Sequence, residues 1–190
     1  NEEFGNELYM IEERAADGHG DKSSFGFSNE LINTRQVLNE IRKNENITID
    51  EPLYVRARLF DMLIGDWDRH EDQWRWAKFE ENKKTVYRPV PRDRDQAFSI
   101  MADGALLSLA TTILPSLRLM KSYNDDLKSP KWFNLEPYPL DMALINQSNR
   151  DVWNTQVKHI VEHLTDAVID EAFTYFPPEI NQETIQEIKR

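Results

Sequence analysis

Leu63-Ile64-Gly65-Asp66-Trp67-Asp68-Arg69-His70-Glu71-Asp72-Gln73, residues 63–73, and Pro91-Arg92-Asp93-Arg94-Asp95-Gln96-Ala97-Phe98, residues 91–98, are two charged stretches on either side of an alternating segment. Ahead of the first stretch, Val55, Leu59, Met62 and Leu63 recur at helical spacing. Arg56 and Arg58 fall off that face. Asp50 followed by Pro52 is a good helix start, and Gly65 can end the helix. The spacing predicts a helix over about 52–64. Between the two stretches, residues 73–79 alternate as a strand, residues 80–84 are a polar turn, and residues 85–90 alternate again. This pattern predicts a β-hairpin. Pro89 and Pro91 mean that its second strand lies at an edge or ends there.

A hairpin brings its ends together, so Asp68 and Asp93 can share a site although they are far apart in sequence. Carboxylates costly to bury alone are tolerable when they face a cation or a phosphate. Phosphoryl transfer needs such an inventory: one carboxylate to orient and deprotonate a hydroxyl, and oxygen donors for a hard divalent cation.

Asp68-Arg69-His70 after an apolar helix, then a hairpin and Asp93-x-Asp95-x-x-Phe98, resembles the catalytic loop and metal-binding motif of atypical protein-kinase-like enzymes. Phosphatidylinositol kinases carry a similar Asp-Arg-His. The secretory-pathway casein kinases carry a Leu-Ile-Gly-x-x-Asp-Arg-His string, which residues 63–70 match. Spore-coat kinases resemble the chain in the Asp-x-Asp-x-x-aromatic element. The resemblance is strongest over residues 55–98. It implies an α+β, mainly helical fold: the large, C-terminal lobe of a kinase, with a β-hairpin at the active site. It implies ATP or another nucleotide as cofactor, Mg²⁺ or Mn²⁺ as metal, and a hydroxyl-bearing acceptor. Asp68 takes the catalytic position, with Arg69 and His70 bracing its loop. Asp93 takes the metal-binding position, Gln73 stands where many such kinases have a metal-binding Asn, and Asp95 is an auxiliary ligand.

The chain departs from the pattern in three ways. Gln73 is one methylene longer than Asn. No glycine follows Asp93. Gly18, Gly20 and Gly26 form no phosphate loop, and no strand Lys with a helix Glu is recognisable. Residues 1–190 are therefore expected to be one kinase-like lobe, a fragment of a longer chain whose small lobe lies upstream or is dispensed with. The alternative is a non-catalytic kinase-like module that binds a partner or nucleotide, or only scaffolds neighbouring domains. The region is also similar to C-terminal regions of large bacterial surface proteins that carry a metallophosphoesterase domain, which points to an exported or cell-envelope location.

The remaining chain sets bounds. Lys and Arg number 23 against 34 Asp and Glu, for a net charge of −11. That argues against a nonspecific nucleic-acid or anionic-membrane surface. No apolar run is long enough to insert in a bilayer. There is no cysteine, so no disulfide, thiolate nucleophile or thiolate-bound metal can form. Arg92 and Arg94 are either phosphate contacts or ion-pair partners of neighbouring acids. Trp67, Trp74 and Trp76 either stack a ligand or, more commonly for a hairpin stripe, fill a core. His159-Ile160-Val161-Glu162-His163 spells H-x-x-E-H, the string of inverted zinc peptidases, for which Glu171, Glu179 or Glu183 would have to supply a third ligand. The alternative is an amphipathic helix with Val157, Ile160, Val161 and Leu164 inward.

Elsewhere a strand is expected over residues 7–14 and a loop over 15–28. A helix capped by Asn33 or Thr34 buries Val37, Leu38 and Ile41. Residues 44–50 are a connector, and residues 105–114 a helix closed by Pro115. Residues 128–139 are an irregular connection. Residues 151–163 and 166–176 are helices stopped by Pro177-Pro178.

Overall fold

Helix α2 (Glu51–Ile64) organises the structure, and its ends carry the expected signals. The Asp50 side chain accepts a hydrogen bond from the Leu53 amide, and Pro52 sits in the first turn, where its missing N–H costs nothing. Gly65 ends the helix in the left-handed region at φ 73°. A Cβ there would also come within 2.8 Å of the Tyr123 ring, so Gly65 meets both a backbone and a space requirement.

The computed structural model describes residues 13, 16–18, 20–23, 26–99, 122–124, 127, 130–177 and 182–189. In chain order the other elements are β1 (Leu31–Asn33), α1 (Thr34–Lys43), β2 (Ile47–Ile49), β3 (Trp74–Glu81) and β4 (Lys84–Pro91). Then follow α3 (Pro130–Phe133), α4 (Tyr138–Leu144), α5 (Arg150–His163), α6 (Asp166–Phe173) and α7 (Gln182–Lys189). Among the described residues this is the α+β, mainly helical fold that the sequence predicts. The strand expected over 7–14 and the helix expected over 105–114 lie outside the described residues, apart from Glu13.

The sheet runs β1-β3-β4-β2. Strands β3 and β4 form the predicted hairpin, with Trp74 opposite Pro91 and Glu81 opposite Lys84. Its turn is Asn82-Lys83, both at positive φ (50° and 67°), as the twist of a two-residue hairpin demands. Strand β2 lies parallel to β4 over Thr85–Tyr87 only. Beyond Tyr87 the outer side of β4 is open, and the two prolines fall there. Arg92 N–H donates to the Gln73 carbonyl. By strand alternation, Val90 and Arg88 face β3 while Pro89 and Pro91 face the open side.

The core lies between this sheet and α1, α2 and α4. Val37, Tyr54, Val55, Trp74 and Trp76 are fully buried. The Tyr54 ring lies 4.9 Å from Trp74 and 5.7 Å from Trp76, so the two hairpin tryptophans are core. Trp67 is half-buried. Helix α1 has the predicted cap as a reciprocal box: Asn33 accepts from the Gln36 amide, and the Gln36 side chain accepts from the Asn33 amide. Val37 is buried, and Leu38 and Ile41 pack against the core as expected.

Four expectations are corrected. Residues 44–50 hold strand β2, whose hydrogen bonds depend on a partner distant in sequence, as Asp50 N–H to Tyr87 O shows. Residues 128–139 are not irregular throughout, because Pro130 and Pro139 fall in the first turns of α3 and α4, where proline is compatible with helix. In α2 the buried side chains are Tyr54, Val55, Arg58, Asp61 and Ile64, while Leu63 is exposed. In α5, Val157 and Val161 are exposed and Gln156 is buried. It accepts from Arg56 Nε at 2.8 Å, so a polar pair sets the face that α5 turns to α2.

Candidate functional site at the hairpin ends

Arg69 joins the two ends of the hairpin. It is fully buried, and its guanidinium lies over the Trp74 ring at 4.7 Å. Nη1 donates to the Arg92 carbonyl at 2.6 Å and to that of Asp93 at 3.4 Å, while Nη2 donates to the Gln73 carbonyl at 3.1 Å. Two backbone bonds add to the join: Arg92 N–H to Gln73 O, and Phe98 N–H to Ile64 O, each 2.9 Å. Residues 64–73 and 92–98 are thus one unit, and Arg69 braces it.

Asp93 adopts φ 51°, and Phe98 adopts φ 56°. A left-handed conformation is uncommon for a non-glycine residue, though Asp tolerates it better than most. Such backbone persists where the surroundings over-determine it, and these positions cluster at functional sites. Asp93 and Asp95 are exposed and Asp68 is half-buried. His70 Nδ1 accepts from the Asp72 amide at 3.2 Å, so the ring proton sits on Nε2. That nitrogen is 3.8 Å from Asp68 Oδ1 and 3.4 Å from the Gln73 amide nitrogen. Gln73 is itself buried, with its amide turned toward His70.

Arg94 is an ion-pair partner. Its Nε and Nη2 donate to Asp61 Oδ1 at 3.2 and 2.9 Å, and its guanidinium lies over Phe60. Arg92 is half-buried and contributes its carbonyl to Arg69.

Under the loops lies a charge network absent from the sequence-based expectations. Asp61 takes Arg58 on its second oxygen at 3.0 Å, and Arg69 Nε lies 3.3 Å from that oxygen. Arg58 Nε also donates to both oxygens of Asp141, at 3.1 and 3.2 Å. Tyr54 OH donates to Asp141 at 2.9 Å, and Arg58 Nη2 to Asn134 at 2.8 Å. Burial opposes the charge on Arg58, but Asp141 and Asp61 outweigh it and hold its pKa up. The signal for this stripe was present: Tyr54, Arg58 and Asp61 share one helix face at i, i+4 and i+7. Apolar periodicity alone passes over it.

Asp66 is fully buried, and its closest charge is Arg69 Nη1 at 3.4 Å. Neither of its oxygens makes a hydrogen bond. Burial pushes its pKa up to about 7, against the pull of Arg69. An acid whose pKa is higher folded than unfolded takes up protons on folding. Its stabilising effect is fully present below the unfolded value of about 4 and is lost as pH rises to about 7. We expect Asp66→Asn to raise the melting temperature at about pH 8 and to flatten its decline between about pH 5 and pH 8, on the order of 1–3 kcal/mol. Thermal melts across that range check it, and an unchanged pH slope refutes it.

The H-x-x-E-H string stands on α5 with the His159 and His163 rings stacked, centroids 4.0 Å apart. His163 Nδ1 meets its own helix at the His159 carbonyl, 2.8 Å away. Among the described residues no three His, Asp or Glu side chains gather as a metal site, so Glu171 and Glu183 supply no third ligand; Glu179 lies outside the described residues. No helix of the described residues is long and apolar enough to cross a membrane. No family model, no curated protein and no solved structure matches the chain.

Proposed function

We propose that this lobe supports phosphoryl transfer from a nucleotide to a hydroxyl acceptor at the joined hairpin ends. The observation that carries the proposal is the Arg69 clamp: one buried guanidinium holds the carbonyls of Gln73, Arg92 and Asp93. That clamp supports a shared site for the Asp68 loop and the Asp93 turn.

In this reading Asp68 orients the acceptor hydroxyl and takes its proton. His70 Nε2 stands beside the Asp68 carboxylate, 3.8 Å from Oδ1 and beyond direct hydrogen-bond reach. Asp93, with Asp95 and Gln73, would hold Mg²⁺ or Mn²⁺. The donor set is all oxygen, which suits a hard cation. Bound there, the cation would offset charge on the β- and γ-phosphates. Arg92 would steer the phosphate chain, while Arg94 acts through Asp61 to keep the turn seated.

The test is thermal. Specific binding of ATP with Mn²⁺ at a hundredfold excess over Kd adds about 2.7 kcal/mol to stability. Asp93→Ala is expected to abolish that shift. Asp68→Ala is expected to keep the shift and remove turnover. No shift in the intact chain overturns the reading.

One observation favours a second reading, the non-catalytic kinase-like module. Gln73 is buried with its amide against His70. A nucleotide-dependent shift without turnover, unchanged by Asp68→Ala, is the result this module predicts.

A further inference from the structure

A cleft between α2 and α5, bordered by Val168 of α6, meets the hairpin-end site at Arg94 alone among the described residues. Its volume is about 390 Å³, within the roughly 300–1,000 Å³ of small-molecule sites. Leu53, Ala57 and Phe60 form one wall, and Ile160, Leu164 and Val168 form the other. Among the described residues, every ionisable side chain that lines it is a base: Arg56, Arg94, His159 and His163. In a chain of net charge −11, a cleft whose described lining holds four bases and no carboxylate is set apart from the surrounding surface.

The bases differ in what they have left to offer. Arg94 is committed to Asp61. Arg56 is anchored by Nε to Gln156 at 2.8 Å, which leaves its Nη groups for a ligand. The His163 Nδ1 proton points at the His159 carbonyl, so Nε2 gains a proton only when the ring becomes cationic. The two imidazoles stack at 4.0 Å, where charging both is unfavourable without an anion between or beside them.

We propose that this cleft binds an amphipathic monoanion, in chemical class a medium-chain carboxylate, with its head at Arg56 and the two imidazoles and its chain along Phe60, Ile160 and Leu164. The charge setting supports this. Burial, Arg56 and His163 together lower the pKa of His159, with Glu162 acting weakly the other way. A bound anion reverses the repulsion among the bases, so binding takes up protons and tightens as pH falls. The site stands whether or not the hairpin ends transfer phosphate.

The probe is octanoate, with 1-octanol as its uncharged counterpart, titrated by calorimetry against the intact chain at about pH 6 and about pH 8. Saturable octanoate binding is expected, about tenfold tighter at the lower pH, with octanol indifferent to pH. Arg56→Gln and His163→Gln are each expected to weaken octanoate about fivefold and to leave octanol within about twofold. His163 is exposed, so its replacement leaves the core intact even if Arg56→Gln loosens α2 from α5. No saturable octanoate binding, equal affinity for octanoate and octanol, or octanoate affinity unmoved by His163→Gln overturns the proposal.

Discussion

Asp61→Asn is expected to lose about 3–5 kcal/mol of stability, the cost of breaking a buried ion pair from one side. The Asp61 carboxylate is fully buried and meets Arg58, Arg94 and Arg69 at 3.0, 2.9 and 3.3 Å. Asparagine keeps the shape but removes the charge and turns an NH₂ group either to Arg94, which meets Oδ1, or to Arg58 and Arg69, which meet Oδ2. Arg58 retains Asp141; Arg69 retains its three carbonyls and, as carboxylate, Asp66 at 3.4 Å. Arg94 is about one-third exposed and can swing into water, so the loss falls mainly on Arg58 and Arg69. Chemical denaturation reads the loss as a lower midpoint at unchanged slope. A midpoint close to that of the parent chain would show that the network contributes little.

Arg69→Ala has an effect of similar size on stability, about 3–5 kcal/mol, and a further one on the site. It removes the donors to the carbonyls of Gln73, Arg92 and Asp93. It also takes the cation from over Trp74 and leaves Asp66 with no cation so near. Burial has already lowered the pKa of Arg69 despite its two acids, so the ionised side chain is held at a cost its partners must offset. Arg69→Lys is not a rescue, because one ammonium cannot reach three carbonyls that a planar guanidinium spans. Hydrogen exchange separates the two effects. The amides of Arg92 and Phe98, bonded across the hairpin ends, are expected to lose protection even when the amides of β3 and β4 keep theirs. Equal loss throughout would mean that Arg69 is only a core element.

The proposed metal site and the octanoate cleft respond to different variants. Loss of the Mn²⁺-ATP shift in Asp93→Ala tests the hairpin ends, and octanoate binding in His163→Gln tests the cleft. Failure of either leaves the other standing. Arg94 is common to both, since it lines the cleft and bonds Asp61, and is therefore a poor probe of either alone.

Much of the local architecture was legible in the residues. Asn33, Asp50 with Pro52, and Gly65 after Ile64 are short-range signals, and each one marks a helix end in the structure. The alternation on either side of Asn82-Lys83 predicts the hairpin, because side-chain period and turn geometry act within a few residues. Its ends had to meet, and Arg69 is where they do. Reading apolar spacing alone placed Val55 and Leu59 correctly but misplaced part of the inward faces of α2 and α5. On α2, Leu63 is exposed while Arg58 and Asp61 are buried; on α5, Val157 and Val161 are exposed while Gln156 is buried.

Those reversals have one cause. A charged or amide side chain can be buried only when its partner is delivered by another part of the chain. Asp141 and Asn134 reach Arg58 from more than seventy positions away, and Gln156 reaches Arg56 across one hundred. Strand β2 depends in the same way on β4. Caps, turns and the hairpin follow from neighbours along the chain. Which polar groups go inside, and which short segment becomes a strand, were decided only when distant partners met.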